Sequence, residues 1–181
     1  MKNRLILVTG GARSGKSVFA ERLLCDVTAR RAYIATCPVL DDEMRERVRR
    51  HRENRAAANW LTIEEQFDPG AALRRAEEQG CDGALIDCLT LWLSNLFFRA
   101  EQRNEPFGEA EAAVECEKLL PQLRAFPGTV VAVLNEVGSG VVPESPLGRR
   151  FRDASGRCGQ LIAASADELF LAVCGIAMRI K

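Results

Sequence analysis

The chain has 181 residues, 47% of them hydrophobic, with 25 basic side chains balanced by 25 acidic ones and a single histidine. That length suits one packed domain covering residues 1–181. The balanced charge excludes a long charged disordered tail and a broad electrostatic attraction to nucleic acid or membrane. Seven cysteines lie at positions 25, 37, 81, 88, 116, 158 and 174 with no C-x-x-C pair. Several fall in apolar runs, which points to buried free thiols in a reducing cytoplasm and away from zinc or disulfides.

Taken in chain order, the first predicted strand is Leu5 to Val8, and the residues after it carry the clearest motif. Gly10-Gly11-Ala12-Arg13-Ser14-Gly15-Lys16-Ser17 fits G-x-x-x-x-G-K-[ST], placed between a strand and a helical run over about 17 to 29. Glycines let consecutive backbone N–H groups turn inward around an anion, and the helix that follows aims its positive end at the same point. Lys16 then neutralises the outer phosphates of a nucleoside triphosphate, while the Ser17 hydroxyl is suited to Mg²⁺.

Further strands are expected at Ala32 to Ala35, Gly83 to Asp87, Thr129 to Leu134 and Leu169 to Val173. Helices are expected over about 42 to 57, 69 to 79, 89 to 103, 109 to 125 and 146 to 166, and Gly175 to Lys181 reads as a hairpin return along a sheet edge. This alternation predicts an α/β fold, a mainly parallel sheet with helices on both faces and a C-terminal edge hairpin. Ligands of such sheets bind beyond the carboxyl ends of the strands, which draws attention to Thr36, Asp87, Asn135 and Glu136. No stretch reaches the roughly 20 apolar residues of a membrane span, so a soluble cytoplasmic protein is expected.

Asp87 closes its strand where a P-loop protein places the carboxylate of the Mg²⁺ shell; the alternative is a strand-end aspartate capping the next helix. Residues 135–144 mix polar groups, glycines and a proline, as ligand-wrapping loops do, although a plain surface connection has the same composition. Over 41–55 acids come first and arginines later, an order that complements a helix dipole. Glu43, Arg47, His51 and Arg55 share one face of that helix. Neighbouring arginines disfavour protonation of His51 and are suited to forked phosphate contacts, so a neutral imidazole beside bound phosphate is a competent nucleophile. A solvated basic face that contains a histidine by chance is the plainer reading of the same residues.

Several motifs in one order resemble a known family. They are residues 9–17, Tyr33-Ile34-Ala35-Thr36, Asp42-Glu43-Met44 with Arg47 and His51, and Trp60, Thr62 and Glu64. Asp87-Cys88-Leu89-Thr90 with Trp92, Leu93, Asn95 and Leu96, and Asn135-Glu136-Val137-Gly138 followed by Val142-Pro143-Glu144, complete the set. Together they are similar to the bifunctional adenosylcobinamide kinases/adenosylcobinamide-phosphate guanylyltransferases of cobalamin biosynthesis. The resemblance implies a RecA-like P-loop NTPase fold, a homotrimer, and two reactions. In the first, ATP or GTP phosphorylates the aminopropanol hydroxyl of adenosylcobinamide. In the second, GTP donates GMP to that phosphate through a guanylylated histidine, with His51 at the matching position.

The implied nucleotide-binding residues are Gly10 to Ser17, Thr36, Arg47, Arg55, Glu64, Asp87, Asn135 and Glu136, with Lys16 and His51 catalytic and Ser17 and Asp87 on Mg²⁺. Thr36, Asn135 and Glu136 are the candidates for reading guanine, and the kinase base is left among several carboxylates. Two rivals remain at this level. One is a simple small-molecule kinase with the arginine-rich helix as a lid. The other, a nucleic-acid module contacting phosphates through that helix, sits poorly with zero net charge and no interleaved aromatics.

Overall fold

The computed structural model describes residues 3–38 and 60–181. The helix expected over about 42 to 57, with Arg47, His51 and Arg55, lies outside the described residues. Seven strands form one sheet: β1 (Arg4–Gly10), β2 (Arg31–Ala35), β3 (Trp60–Glu64), β4 (Gly83–Asp87), β5 (Thr129–Asn135), β6 (Glu168–Val173) and β7 (Ile176–Arg179). Five helices accompany them among the described residues: α1 (Lys16–Val27), α2 (Pro69–Glu78), α3 (Leu89–Gln102), α4 (Glu109–Ala125) and α5 (Pro146–Ser165).

The strand order is β3-β2-β4-β5-β1-β6-β7. Every neighbouring pair is parallel except β6 with β7, which is the expected antiparallel edge hairpin. One strand was not foreseen. Trp60–Glu64 pairs in parallel with β2, whereas the sequence pattern ran from one helix to the next without a strand between them. Its alternation is weak because Leu61 points outward and Thr62 and Glu64 are polar, as an edge strand tolerates.

Burial on both faces explains why the strands read as continuous apolar runs. Leu5 and Leu7 of β1, Ala84 and Ile86 of β4, and Val130, Ala132 and Leu134 of β5 face one core with residues of α2 to α5. Ile6, Val8, Leu85, Val131 and Val133 face the other, against Ala20 and Leu24 of α1. Each fully buried Leu, Ile or Val side chain among them contributes about 1.5–3 kcal/mol relative to exposure, before chain entropy is offset.

Local chemistry sets the helix starts. Asp68 accepts a hydrogen bond from Ala71 N (2.8 Å) ahead of Pro69, and Ser145 accepts from Gly148 N (3.1 Å) ahead of Pro146. Glu111 reaches back to accept from Gly108 N (2.9 Å) at the start of α4. Two buried side chains on α3 tie down the loops at the carboxyl end of the sheet. Trp92 Nε1 donates to Phe67 O (3.0 Å), and Asn95 Nδ2 donates to Thr36 O (2.8 Å) and Gln66 O (3.1 Å).

All seven cysteines are free thiols. Cys81, Cys88, Cys116 and Cys158 are buried as expected, but Cys25 and Cys174 are exposed, so burial of the thiols is only partial. The sequence placed them in apolar runs without registering that Cys25 lies on the outer side of α1 and Cys174 in a hairpin turn.

Candidate functional site

The loop from Gly10 to Gly15 joins β1 to α1, and its backbone needs glycine at two places. Gly10 has φ 151°, and a Cβ there would drive into Ala172 O and lie 2.7 Å from Ser14 Oγ. Gly15 has φ 89° and caps α1 without a side-chain hydrogen bond, leaving the first-turn amides of the helix to an anion. Arg13 also adopts positive φ, at 60°, which turns the loop back on itself. The loop is buttressed from the neighbouring edge hairpin: Gly175 N donates to Ser14 O (2.8 Å), so the β6–β7 turn packs directly on it.

Lys16 is 8% exposed and its Nζ donates to Gly11 O (3.0 Å), folding the ammonium over the loop. Ser17 occupies the second position of α1, beside it. Asp87 ends β4, and β5 lies between β4 and β1, so the carboxylate stands two strands from the loop with Asn135 between. Tyr33 Oη donates to Asp87 Oδ2 at 2.8 Å, a partner that the sequence reading gave no role. The donor set around Ser17 and Asp87 consists of hard oxygens. Among the described residues there is no cluster of three His, Cys, Asp or Glu side chains.

The other expected residues fall in two groups. Asn135 ends β5 and Glu136 follows it, next to the loop: Gly10 and Asn135 are register partners, and Glu136 N donates to Gly10 O (3.0 Å). The Thr9 hydroxyl donates to Glu136 Oε1, and Thr90 Oγ1 accepts from Asn135 N (2.7 Å). Thr36 and Glu64 stand apart from them. Thr36 is fully buried; its hydroxyl donates to Cys88 O and accepts from Cys88 N, both at 2.8 Å, so its side chain braces the turn after Asp87. Glu64 ends β3 at the sheet edge, four strands from β1, roughly 19 Å at the usual strand spacing.

A pocket of about 300 Å³ lies between α5 and the face of β1, β5 and β6. Leu7, Leu134 and Leu169 supply apolar walls, and Thr9, Asn135, Glu136, Ser155 and Gln160 supply polar groups. Ser155 is 1% exposed, yet its Oγ has no hydrogen-bond partner among the described residues, and neither does Asn135 Oδ1. Leaving such a group unsatisfied costs about 1–3 kcal/mol. Ser155 escaped the sequence reading because a serine amid a helical pattern gives no local signal.

A parallel sheet whose first strand ends in a glycine-hinged phosphate loop, with an aspartate two strands away, defines a P-loop nucleotide-binding α/β protein. Residues 6–180 match the family described as cobinamide kinase / cobinamide phosphate guanyltransferase, and the chain belongs to that family. It is 43% identical to the bifunctional adenosylcobalamin biosynthesis protein CobU of Salmonella typhimurium, over 98% of this chain and 99% of that protein. The Escherichia coli protein of the same name is 42% identical over 98% and 99% of the two chains. The Pseudomonas aeruginosa bifunctional protein CobP is 42% identical over 97% and 96%. Among solved structures, a KaiC-like protein from Pyrococcus horikoshii superposes with a TM-score of 0.57 at 14% identity, covering 94% of this chain and 71% of that one, a likeness of fold.

Proposed function

We propose that this chain is a single-domain cytoplasmic enzyme that phosphorylates adenosylcobinamide with ATP or GTP and then transfers GMP from GTP to adenosylcobinamide phosphate. Family membership over residues 6–180 supports the pair of reactions. The observation that carries the nucleotide chemistry is the loop itself, with Lys16 folded over Gly11 O and Asp87 at the end of β4, two strands away. No helix among the described residues is long and apolar enough to cross a membrane.

In this reading the amides of residues 10–17 and Lys16 hold the phosphates of either donor. Ser17 and Asp87 hold a magnesium ion, which when bound offsets charge on the phosphate oxygens. Tyr33 fixes the orientation of the Asp87 carboxylate through the 2.8 Å hydrogen bond. His51, with Arg47 and Arg55, lies outside the described residues; its role rests on the sequence and on family likeness. The His51 imidazole attacks the α-phosphorus of GTP and pyrophosphate leaves; a phosphate oxygen of the corrinoid then attacks the same phosphorus and releases the imidazole. Glu64, at the distant edge, is assigned to the nucleotide in the second reaction, and a homotrimer is the expected assembly.

The decisive experiment incubates the protein with Mg²⁺ and GTP labelled at the α-phosphate, denatures it and examines the retained label. Acid-labile, alkali-stable label that is absent from His51→Ala supports the two-step transfer. No label while GTP demonstrably binds would leave a kinase without a covalent intermediate. Light scattering on the native protein tests the trimer.

A further inference from the structure

We propose that the pocket beneath α5 receives the hydroxyl-bearing arm of the acceptor in the kinase reaction, and that Glu136 takes the hydroxyl proton; this rests on the kinase activity proposed above. Its volume of about 300 Å³ lies at the lower end of small-molecule sites, too small for a macrocycle and suited to one flexible side arm. An arm that joins an amide to a short hydroxyalkyl chain matches the lining. Leu7, Leu134 and Leu169 accept the carbon chain. Ser155 Oγ and Asn135 Oδ1, buried without partners among the described residues, offer a donor–acceptor and an acceptor to an amide.

Glu136 joins this pocket to the phosphate loop. The residue lines the cavity, its carboxylate accepts from the Thr9 hydroxyl, and its amide donates to Gly10 O at 3.0 Å. Thr9 occupies one carboxylate oxygen and so orients the other, and Thr9 is itself the residue before the first glycine of the loop. An acceptor hydroxyl held by Glu136 therefore sits at the mouth of the phosphate cradle. Its oxygen forms a bond to the γ-phosphorus as the bond from that phosphorus to the β–γ bridging oxygen breaks. The nucleoside diphosphate leaves with that electron pair, and the hydroxyl proton passes to the Glu136 carboxylate.

Three variants test this with adenosylcobinamide, adenosylcobinamide phosphate and ATP or GTP. Gly156 lines the pocket and a Cβ there meets nothing within 4 Å, so a side chain can start from it unhindered, and Gly156→Leu is chosen to narrow the pocket while favouring the helix. It is expected to raise KM for adenosylcobinamide tenfold or more, with KM for the nucleotide changing less than twofold. Ser155→Ala is expected to raise the same KM roughly 2–10-fold while leaving the thermal midpoint equal or higher. Glu136→Gln is expected to lower the kinase kcat by roughly 10²–10⁴-fold and to lower the ratio of kinase rate to GMP-transfer rate at least tenfold.

An unchanged kinase kcat in Glu136→Gln overturns the assignment. So does a rise in nucleotide KM, instead of corrinoid KM, in Gly156→Leu, which would mean that the pocket holds a base. Wild-type protein that phosphorylates no corrinoid at all would defeat the proposed function itself, an outcome distinct from either.

Discussion

Tyr33 and Asp87 stand on neighbouring parallel strands, and the phenol donates to Oδ2 of the carboxylate at 2.8 Å. The register that pairs Ala35 with Asp87 sets Tyr33 two residues back, so the ring spans the carboxyl end of the pair to reach the acid. Trp60 packs against the ring edge with centroids 6.2 Å apart, which holds the phenol in place.

Removing that hydroxyl separates orientation from ligation. Tyr33→Phe keeps the ring and its packing and frees one carboxylate oxygen. Outer-shell partners of metal ligands are commonly worth 10–100-fold in metal affinity or activity. A titration of kinase rate against Mg²⁺ is expected to show a rise in the half-maximal concentration of roughly that size, with the thermal midpoint shifted little. An unchanged Mg²⁺ requirement would mean that the hydrogen bond serves only the fold.

Gly15 tests the coupling between the phosphate loop and the sheet edge. With φ at 89° and Gly175 Cα 3.0 Å from where a Cβ would sit, Gly15→Ala is strained by conformation and by contact. Left-handed backbone alone costs an alanine about 1–2 kcal/mol. Urea denaturation should report at least that loss, and nucleotide affinity should fall with it, because the Gly175 N to Ser14 O bond must shift.

Asp82 controls the corner between α1 and β2. Burial pushes its carboxyl up, but hydrogen bonds from the backbone amides of Ala29, Arg30 and Asp82 itself, with the Arg31 charge, hold it below its ordinary value. A depressed folded-state value means that the stabilisation is present above the unfolded pKa of about 3.9 and is lost as pH falls through the folded value. Asp82→Asn is therefore expected to be less stable than wild type near pH 7, by about 1 kcal/mol for the weakened amide bonds. The gap should close as pH drops below about 4, a crossing that urea titrations at several pH values will show.

Thiol reactivity reports the packing directly. Cys25 and Cys174 are exposed and should react with a disulfide reagent within the mixing phase of a native sample. Cys88 is pushed up to about 11 by burial and by the Asp87 charge, and Cys158 is raised by its hydrogen bond with Cys116 and by burial. With little thiolate and no access, these thiols should react only on unfolding. Fast reaction of Cys158 would mean that α4 and α5 separate in the native protein.

The sequence by itself determined the elements whose signals are local. The phosphate loop needs glycines at fixed positions, the strands are buried on both faces and so read as unbroken apolar runs, and Asp87, Asn135 and Glu136 stand at or just after strand ends, where ligands of parallel sheets bind. Tertiary structure decided whatever depends on which strand lies beside which. Trp60–Glu64 becomes a strand only because β2 offers it an edge, since its own alternation is faint. Insertion of β5 between β4 and β1 sets Asn135 between Asp87 and the loop and carries Glu64 to the far edge. Thr36, at a strand end like the others, is turned inward by its bonds to Cys88. Ser155 became visible only when α5 closed over β1, β5 and β6, because an unpartnered hydroxyl is a property of packing and leaves no trace in a local pattern.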